Sequence, residues 1–203
     1  GAIIAWNDFR NDPSNLQGDV FAQRIDGSGN KIWGQNDLEI CAATGDQKDI
    51  RLNSDFNGGT VIAWTDERMG AYPQGDIYAQ RVGAGGTKRW AQDGIIVCDA
   101  DYLQDAPIVR THTDASSMVV WADYRKGSVG IYYQLVTPQG NAGLTANGEE
   151  MIWGIDRDAF NLQFLQLNPP PNEKILAVWQ DHRWATIGPF IYQQIFDTTG
   201  NMY

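Results

Sequence analysis

The chain has 203 residues, of which 42% are hydrophobic and 20% are charged, so it is long enough to bury a substantial core. Its net charge of −10 argues against nucleic acid as a partner, because phosphate binding needs clustered Lys and Arg, and it disfavours anionic membrane surfaces. The longest apolar runs have five or six residues, so we expect no transmembrane helix and no membrane insertion.

A pentapeptide frame, Trp-x-Asp-x-Arg, recurs four times along the chain. Its Trp residues are 58, 57 and 58 residues apart, and a fixed period of this size indicates a repeat architecture. We call the twelve frame residues the repeat belt. They are Trp6, Asp8, Arg10, Trp64, Asp66, Arg68, Trp121, Asp123, Arg125, Trp179, Asp181 and Arg183.

Each repeat begins with two predicted strands. The first strand is apolar on both faces and is therefore expected to be covered on both sides. Its copies are Ala2–Trp6, Thr60–Trp64, Met118–Trp121 and Ile175–Trp179. The copies of the second strand are Val20–Ile25, Ile77–Val82, Ile131–Val136 and Phe190–Phe196. Each second strand holds a Gln at one register and a Gly six residues later, which predicts a hairpin with a positive φ at that Gly.

Two further strands complete each predicted repeat. The third strand is predicted to begin at Trp33, Trp90 or Leu144, and a turn or bulge interrupts it before Leu38–Cys41, Ile95–Cys98 and Glu149–Ile152. The copies of the fourth strand are Asp49–Asn53, Pro107–Thr111 and Asn161–Leu167. We expect this last strand at an exposed edge of its own unit, because Pro107 removes a ladder donor.

This pattern predicts an all-β fold, a β-propeller made of four-stranded antiparallel blades of about 57 residues, with about three and a half blades present. The predicted units are approximately 1–58, 59–115, 116–172 and 173–203. A β-sandwich is the alternative, but a sandwich has no reason to repeat the frame. We expect one repeat domain or a fragment of a larger propeller whose remaining blades belong to the same parent polypeptide.

The frame, followed by Asp-Ile-Tyr-Ala-Gln-Arg, Gly-x-x-x-Trp and a Gln-x-x-Pro segment, resembles repeats of large secreted bacterial proteins. Such proteins are found especially among Bacteroidetes and often end in a sorting domain for type IX secretion. The second unit fits best, with Asp76–Arg81 and Gln104–Pro107 intact, whereas Leu135 and Ile195 replace the Arg in later units. The resemblance implies an extracellular or cell-surface propeller of mostly unknown function.

Two interpretations of the repeat belt stay open. It either forms ion pairs that hold neighbouring blades together, or it forms polar sites for sugars or peptide carboxylates. We favour the structural role, because function usually lies where repeats differ. Candidate ligand-binding residues are Trp33 and Trp90, for which core packing is the favoured alternative, and Tyr72 and Trp184, which lie in loops of unequal length.

No metal site, cofactor or catalytic residue is predicted. Residues 26–30 have the oxygen spacing of a Ca²⁺ loop, but a hairpin turn is the favoured interpretation. His112 and His182 lack metal-ligand spacing, and no nucleophile elbow or nucleotide-binding loop occurs. Cys41 and Cys98 occupy equivalent positions and are expected to be buried free thiols.

The sequence therefore favours an extracellular β-propeller that serves as a binding or scaffold module for a protein or a glycan at the cell surface, and not as an enzyme. One alternative is a lectin-like propeller that binds carbohydrate. The other is the propeller domain of a carbohydrate-active enzyme, which would gather non-repeated acids at one funnel.

Overall fold

A computed structural model describes residues 1–14, 16–70, 74–155, 163–167, 174–181 and 190–197. Fourteen strands form within these ranges: β1 (Ala2–Asp8), β2 (Asp19–Ile25), β3 (Leu38–Cys41), β4 (Gln47–Ser54), β5 (Thr60–Asp66), β6 (Asp76–Val82), β7 (Ile95–Cys98), β8 (Gln104–Thr111), β9 (Ser117–Asp123), β10 (Val129–Val136), β11 (Glu149–Ile155), β12 (Gln163–Gln166), β13 (Lys174–Asp181) and β14 (Phe190–Asp197).

The strands form four antiparallel sheets, taken here in chain order as sheets 1 to 4. Sheet 1 has the order β1-β2-β3, sheet 2 the order β4-β5-β6-β7, sheet 3 the order β8-β9-β10-β11 and sheet 4 the order β12-β13-β14. The predicted all-β class and the four-stranded antiparallel sheets are confirmed, whereas the number of blades stays a prediction. The described residues include no helix that is long and apolar enough to cross a membrane.

The predicted fourth strand does not belong to the sheet of its own repeat, and this expectation is wrong. β4 pairs with β5 of the next repeat, with Gln47 opposite Asp66 and Ser54 opposite Thr60, and β8 pairs with β9 in the same way. Short turns join each of these strands directly to the next frame, so the hairpin that they form decides the sheet. Each sheet therefore begins one strand earlier than the sequence units.

The strands β4 and β8 lie side by side, and we call them the inner strands. They stand at the ends of their own sheets, but β8 also packs against β4 and β5 of sheet 2. Pro107 is at the sheet edge, as expected, yet its side chain is buried rather than exposed. The inner strands thus supply much of the contact between neighbouring sheets.

The core consists of apolar layers between neighbouring sheets. The first predicted strand supplies most of these side chains, and in β5 the residues Val61, Ile62, Ala63 and Trp64 are all fully buried. Ile62 packs against sheet 1, whereas Val61 and Ala63 pack against sheet 3. Burial of both faces explains why this strand has no polar alternation.

The repeated Gln fixes the hairpin between the second and third predicted strands. Gln80 Nε2 donates to the Ala91 carbonyl at 2.5 Å, and its Oε1 accepts from the Trp90 amide at 2.9 Å. Gln23 and Gln134 make the same pair of contacts in sheets 1 and 3. The glycines that follow, Gly29, Gly86 and Gly140, have φ values of 85°, 85° and 86°, which confirms the predicted hairpin conformation. In the last repeat Gln194 is among the described residues, whereas Gly200 lies outside them.

Candidate functional site

The repeat belt forms a closed hydrogen-bonded cluster at the end of β5. Asp66 is fully buried, and its carboxylate accepts from Trp64 Nε1 at 2.7 Å and from the Arg68 amide, Nε and Nη2 at 2.9, 2.9 and 2.6 Å. The guanidinium carbon of Arg68 lies 3.8 Å from the centre of the Tyr78 ring, which in turn stacks on Trp64. Both oxygens of the Asp66 carboxylate are thus engaged by donors of the same frame.

The belt also joins neighbouring sheets. Arg68 Nη2 lies 3.1 Å from Cys41 Sγ of sheet 1, and Arg125 Nη2 lies 3.1 Å from Cys98 Sγ of sheet 2. Both cysteines are buried and free, as the sequence predicts. Burial raises the pKa of each thiol to about 12, so neither is a reactive thiolate at neutral pH. These contacts favour the structural interpretation of the belt.

The first copy of the belt is more exposed than the copies in sheets 2 and 3, and the last copy is described only in part. In sheet 1 the hydrogen bond from Arg10 holds the pKa of Asp8 well below its usual range, and the Arg10 side chain is 39% exposed against 18% for Arg68. In sheet 4 Trp179 stacks on Tyr192. The side chain of Asp181 and all of Arg183 lie outside the described residues.

The structure places Trp33 between sheets 1 and 2. Trp33 is 6% exposed, its Nε1 donates to the Ala84 carbonyl at 2.9 Å, and its ring lies over Gly86. Trp90 repeats the contact between sheets 2 and 3, with Nε1 donating to the Pro138 carbonyl at 3.1 Å. A ring held in this way has little face left for a sugar, so packing is the favoured role of both residues.

We expect Trp33→Phe to lower the free energy of unfolding by at least about 0.5–1.5 kcal/mol, because the hydrogen bond to Ala84 is lost and a smaller aromatic ring replaces the buried indole. Urea unfolding followed by circular dichroism measures the change. Tyr78→Phe is the matched control, since it removes one polar group from an aromatic residue of the same apolar cluster and leaves the bond from Trp33 to Ala84 intact. Equal stability of Trp33→Phe and the wild type would contradict the role of the indole N–H.

Other candidates from the sequence have different outcomes. Tyr72 and Trp184 lie outside the described residues, so their ligand-binding role stays a prediction. Asp26 accepts hydrogen bonds from the Ser28 amide and from the amide and side chain of Asn30. These contacts favour the hairpin turn over a Ca²⁺ loop. The described residues contain no group of three or more side chains placed to hold a metal ion.

A polar site that the sequence does not predict lies where the inner strands begin. We call Lys48, Asp49, Glu67 and Asp105 the inner acid site. Lys48 and Asp105 are the residues that follow the equivalent, fully buried Gln47 and Gln104. Lys48 Nζ bonds the Glu67 carboxylate, and Thr65 Oγ1 lies 3.4 Å from Asp49 Oδ2.

A β-bulge shapes each inner strand at this point. The ladder register shifts between Lys48 and Arg51 in β4 and between Asp105 and Ile108 in β8. Asp49 and Ala106 take positive φ values of 53° and 51°, which are uncommon for residues other than Gly and mark local strain. Bulges of this kind re-aim side chains and are frequent beside functional sites.

The inner acid site contains an acid that keeps its proton to a higher pH than an ordinary Asp. Burial, together with the negative charge of Asp49, raises the pKa of Asp105 to about 6, although Lys48 opposes the shift. Asp49 is exposed to solvent, unlike Asp105, and interacts electrostatically with it. Two carboxyl groups in unequal environments are the usual basis for an acid and a base in one site.

No protein-family model and no curated protein matches the chain. Three solved structures are similar to it. An endo-arabinase from Bacteroides thetaiotaomicron VPI-5482 is 12% identical, with 98% of this chain and 74% of that chain covered and a TM-score of 0.48. An endo-1,4-β-xylanase from the same organism is 12% identical over 92% and 66% of the two chains, with a TM-score of 0.46. A thermostable family-43 glycoside hydrolase is 13% identical over 97% and 72%, with a TM-score of 0.45. No residue role is transferred from them.

One expectation is corrected here. The sequence favours a module that is not an enzyme, but all three of these proteins are glycoside hydrolases, which contradicts that expectation. The physical reason for the error is that the repeat frame reports only what all blades share. The inner acid site comes from positions at which the repeats differ, and these positions meet only in the folded chain. The resemblance to secreted, surface-sorted proteins stays a prediction.

Proposed function

We propose that the chain forms part of an extracellular, carbohydrate-active β-propeller whose site lies at the inner acid site. Asp105 serves as the general acid and donates its proton to the oxygen of a glycosidic bond. Asp49 is the second carboxyl group of the site, and Lys48 holds Glu67 in place. The observation that supports this most directly is the raised pKa of Asp105, about 6, beside a second acid.

Glycosidic bonds suit this chemistry because their hydrolysis needs one protonated and one ionised carboxyl group. The group that donates must stay protonated near the working pH, which burial achieves for Asp105. With Asp105 protonated, one cation and two carboxylates remain, so the site has a net negative charge. An uncharged polysaccharide fits this site better than an anionic one.

The rival proposal is a propeller that binds a protein or a glycan and does not act on it. It is supported by the repeat belt, whose polar groups are engaged in structural contacts. It gives no reason for a strained bulge that holds a half-buried acid, since a carboxyl group whose pKa is raised by burial reduces the stability of the fold once it ionises. For this reason we place it second.

The test is the release of reducing sugar from arabinan and xylan, with a polyuronate as the anionic comparison. Because activity requires protonated Asp105, we expect it to fall as the pH rises through about 6. Lys48→Met removes a charge that lowers the pKa of Asp105, so the falling limb of the pH–activity profile moves to higher pH. Asp49→Asn removes the ionised carboxyl group that hydrolysis needs, so the rate should fall strongly at every pH.

The displacement of the limb in Lys48→Met distinguishes a role of Asp105 from simple unfolding, which would lower the rate without moving the limb to higher pH. No release of sugar from either neutral polymer by the folded chain would overturn the enzymatic proposal. Binding to the same polymers without hydrolysis would favour the rival.

A further inference from the structure

We propose that the outer face of sheet 1 is a docking surface for one further repeat of the same type. The occupant is defined by its chemistry: a sheet that presents an indole at a hairpin and a small thiol or apolar group to Arg10, followed by an inner strand. The support comes from the contacts between sheets 1 and 2 and between sheets 2 and 3. In each contact the later sheet offers a hairpin, an Arg and an apolar face to the earlier one. Sheet 1 has the same three features.

The first component is an indole slot. Trp33 docks on a hairpin that offers the Ala84 carbonyl and Gly86, and Trp90 docks on one that offers the Pro138 carbonyl and Gly140. A Cβ added to Gly86 or Gly140 would lie only 3.0 or 2.7 Å from the nearest atom of the indole.

The same hairpin occurs in sheet 1, with Gly27 in the place of the residue whose carbonyl accepts the hydrogen bond and Gly29 in the place of the glycine. Gly29 has the same φ of 85° as Gly86, but a Cβ there would meet no atom of the described residues within 4 Å. Gly29 therefore keeps the conformation that accommodates an indole at Gly86, although no indole of the described residues contacts it.

The second component is a cation with an open side. Arg68 and Arg125 each contact three kinds of group: the frame Asp, a backbone carbonyl of their own sheet, and a thiol of the neighbouring sheet. Arg10 makes the first two contacts, with Asp8 at 2.6 Å and the Asn36 carbonyl at 2.8 Å. The described residues supply no thiol to it, and its side chain is correspondingly more exposed.

The third component is an apolar face. Ile62 and Val119, which lie opposite the repeated Gln and face the preceding sheet, are fully buried, whereas their equivalent Ile4 is 47% exposed. In sheets 2 and 3 the strands β5 and β9 pair with β4 and β8. No described strand pairs with the corresponding edge of β1. A cavity of about 680 Å³ lies beside this edge, lined by Ala2 and Ile3 on one side and residues 52–54 of β4 on the other.

The experiment supplies the occupant covalently. Residues 1–58 are duplicated directly before Gly1, which reproduces the natural junction because Gly1 stands where Gly59 follows Gly58. The added copy of Trp33 then reaches the hairpin of Gly27 and Gly29, and the added inner strand reaches β1. We expect amide hydrogen exchange in β1 to become at least about tenfold slower than in the original chain.

Gly29→Ala separates docking from backbone strain. The strain of Ala at φ of 85° is the same in both chains, so any extra decrease of the urea midpoint in the extended chain reports the filled slot. Gly86→Ala is the matched control, since its slot is already filled and its effect should be equal in both chains. Trp33→Ala in the added copy alone should remove the extra decrease.

Unchanged exchange in β1 and equal effects of Gly29→Ala in both chains would overturn the proposal. A second extension, with residues 59–115 and therefore Trp90 at the hairpin, guards against misfolding of one design. Sedimentation of the original chain tests the other occupant, because a dimer that is lost in Ile4→Glu would assign the face to a second copy and overturn the proposal.

Discussion

Asp66→Ala is expected to lower the free energy of unfolding by about 3–5 kcal/mol, the usual effect of removing one partner of a buried ion pair. The Asp66 carboxylate is fully buried and is the acceptor for both Trp64 Nε1 and Arg68. Its loss leaves the Arg68 guanidinium without a counter-charge next to Tyr78 and leaves the indole N–H without an acceptor. Urea unfolding at neutral pH measures the effect.

Asp8→Ala is the control that the chain itself provides. Asp8 has the same partners, Trp6 and Arg10, but the Arg10 side chain is 39% exposed and is solvated when its partner is removed. The loss of stability should therefore be clearly smaller than for Asp66→Ala. Equal losses would mean that the frame acts through its local turn alone and that burial between sheets contributes nothing.

The difference between these two positions also shows what the sequence is able to predict. The frame recurs because every sheet needs the same contact with its neighbour, so its period predicts the all-β class and the length of the repeat. The period also identifies the repeated Gln, but it does not predict its hydrogen-bond partners. Gln80 bonds the backbone of a hairpin about ten residues further along the chain. Periodicity identifies positions, and only pairing assigns their partners.

Sheet membership of the inner strands could not be predicted for a related reason. β4 is followed by a turn and then by the next frame, and that order is compatible with a hairpin or with a boundary between units. The choice depends on the pairing of Gln47 with Asp66 across the sheet. The residues next to Gln47 in the sequence do not predict that pairing.

The inner acid site was missed because its acids are 56 residues apart and belong to different sheets. One signal was present: two inner strands that share a buried Gln continue with Lys48 in one and Asp105 in the other. A position at which a repeat departs from its own pattern with a change of charge marks a candidate for function. The strand alignment needed to recognise it comes from the structure.

A half-buried acid of this kind should reduce the stability of the folded chain. The folded-state pKa of Asp105, about 6, is above its ordinary value of 3.8, so the folded chain binds this proton more tightly than the unfolded chain does. The stability associated with the proton is complete at low pH and is lost as the pH rises from about 4 to about 6. Above pH 6 the ionised group is retained at a disadvantage, as expected for a residue kept for chemistry.

Asp105→Asn is therefore expected to change activity and stability in opposite directions. An amide has nearly the same shape but no proton to donate, so the rate of sugar release should fall by about 10²–10⁴-fold. At pH 8 the free energy of unfolding should rise by about 1–3 kcal/mol, because the buried charge is removed. Reducing-sugar assays and urea unfolding at pH 4 and pH 8 measure the two effects.

Asp76 provides the matched control. Burial, with smaller contributions from Asp99 and Asp66, raises the pKa of Asp76 to about 6 as well, but Asp76 begins β6 and is not part of the inner acid site. Asp76→Asn should therefore increase stability at pH 8 as Asp105→Asn does while leaving the rate of sugar release unchanged. If both variants kept full activity, Asp105 would be a structural acid, and the chemistry would have to be sought elsewhere on the inner strands. If both lost activity equally, the loss would reflect the shared change in buried charge rather than a proton donated by Asp105.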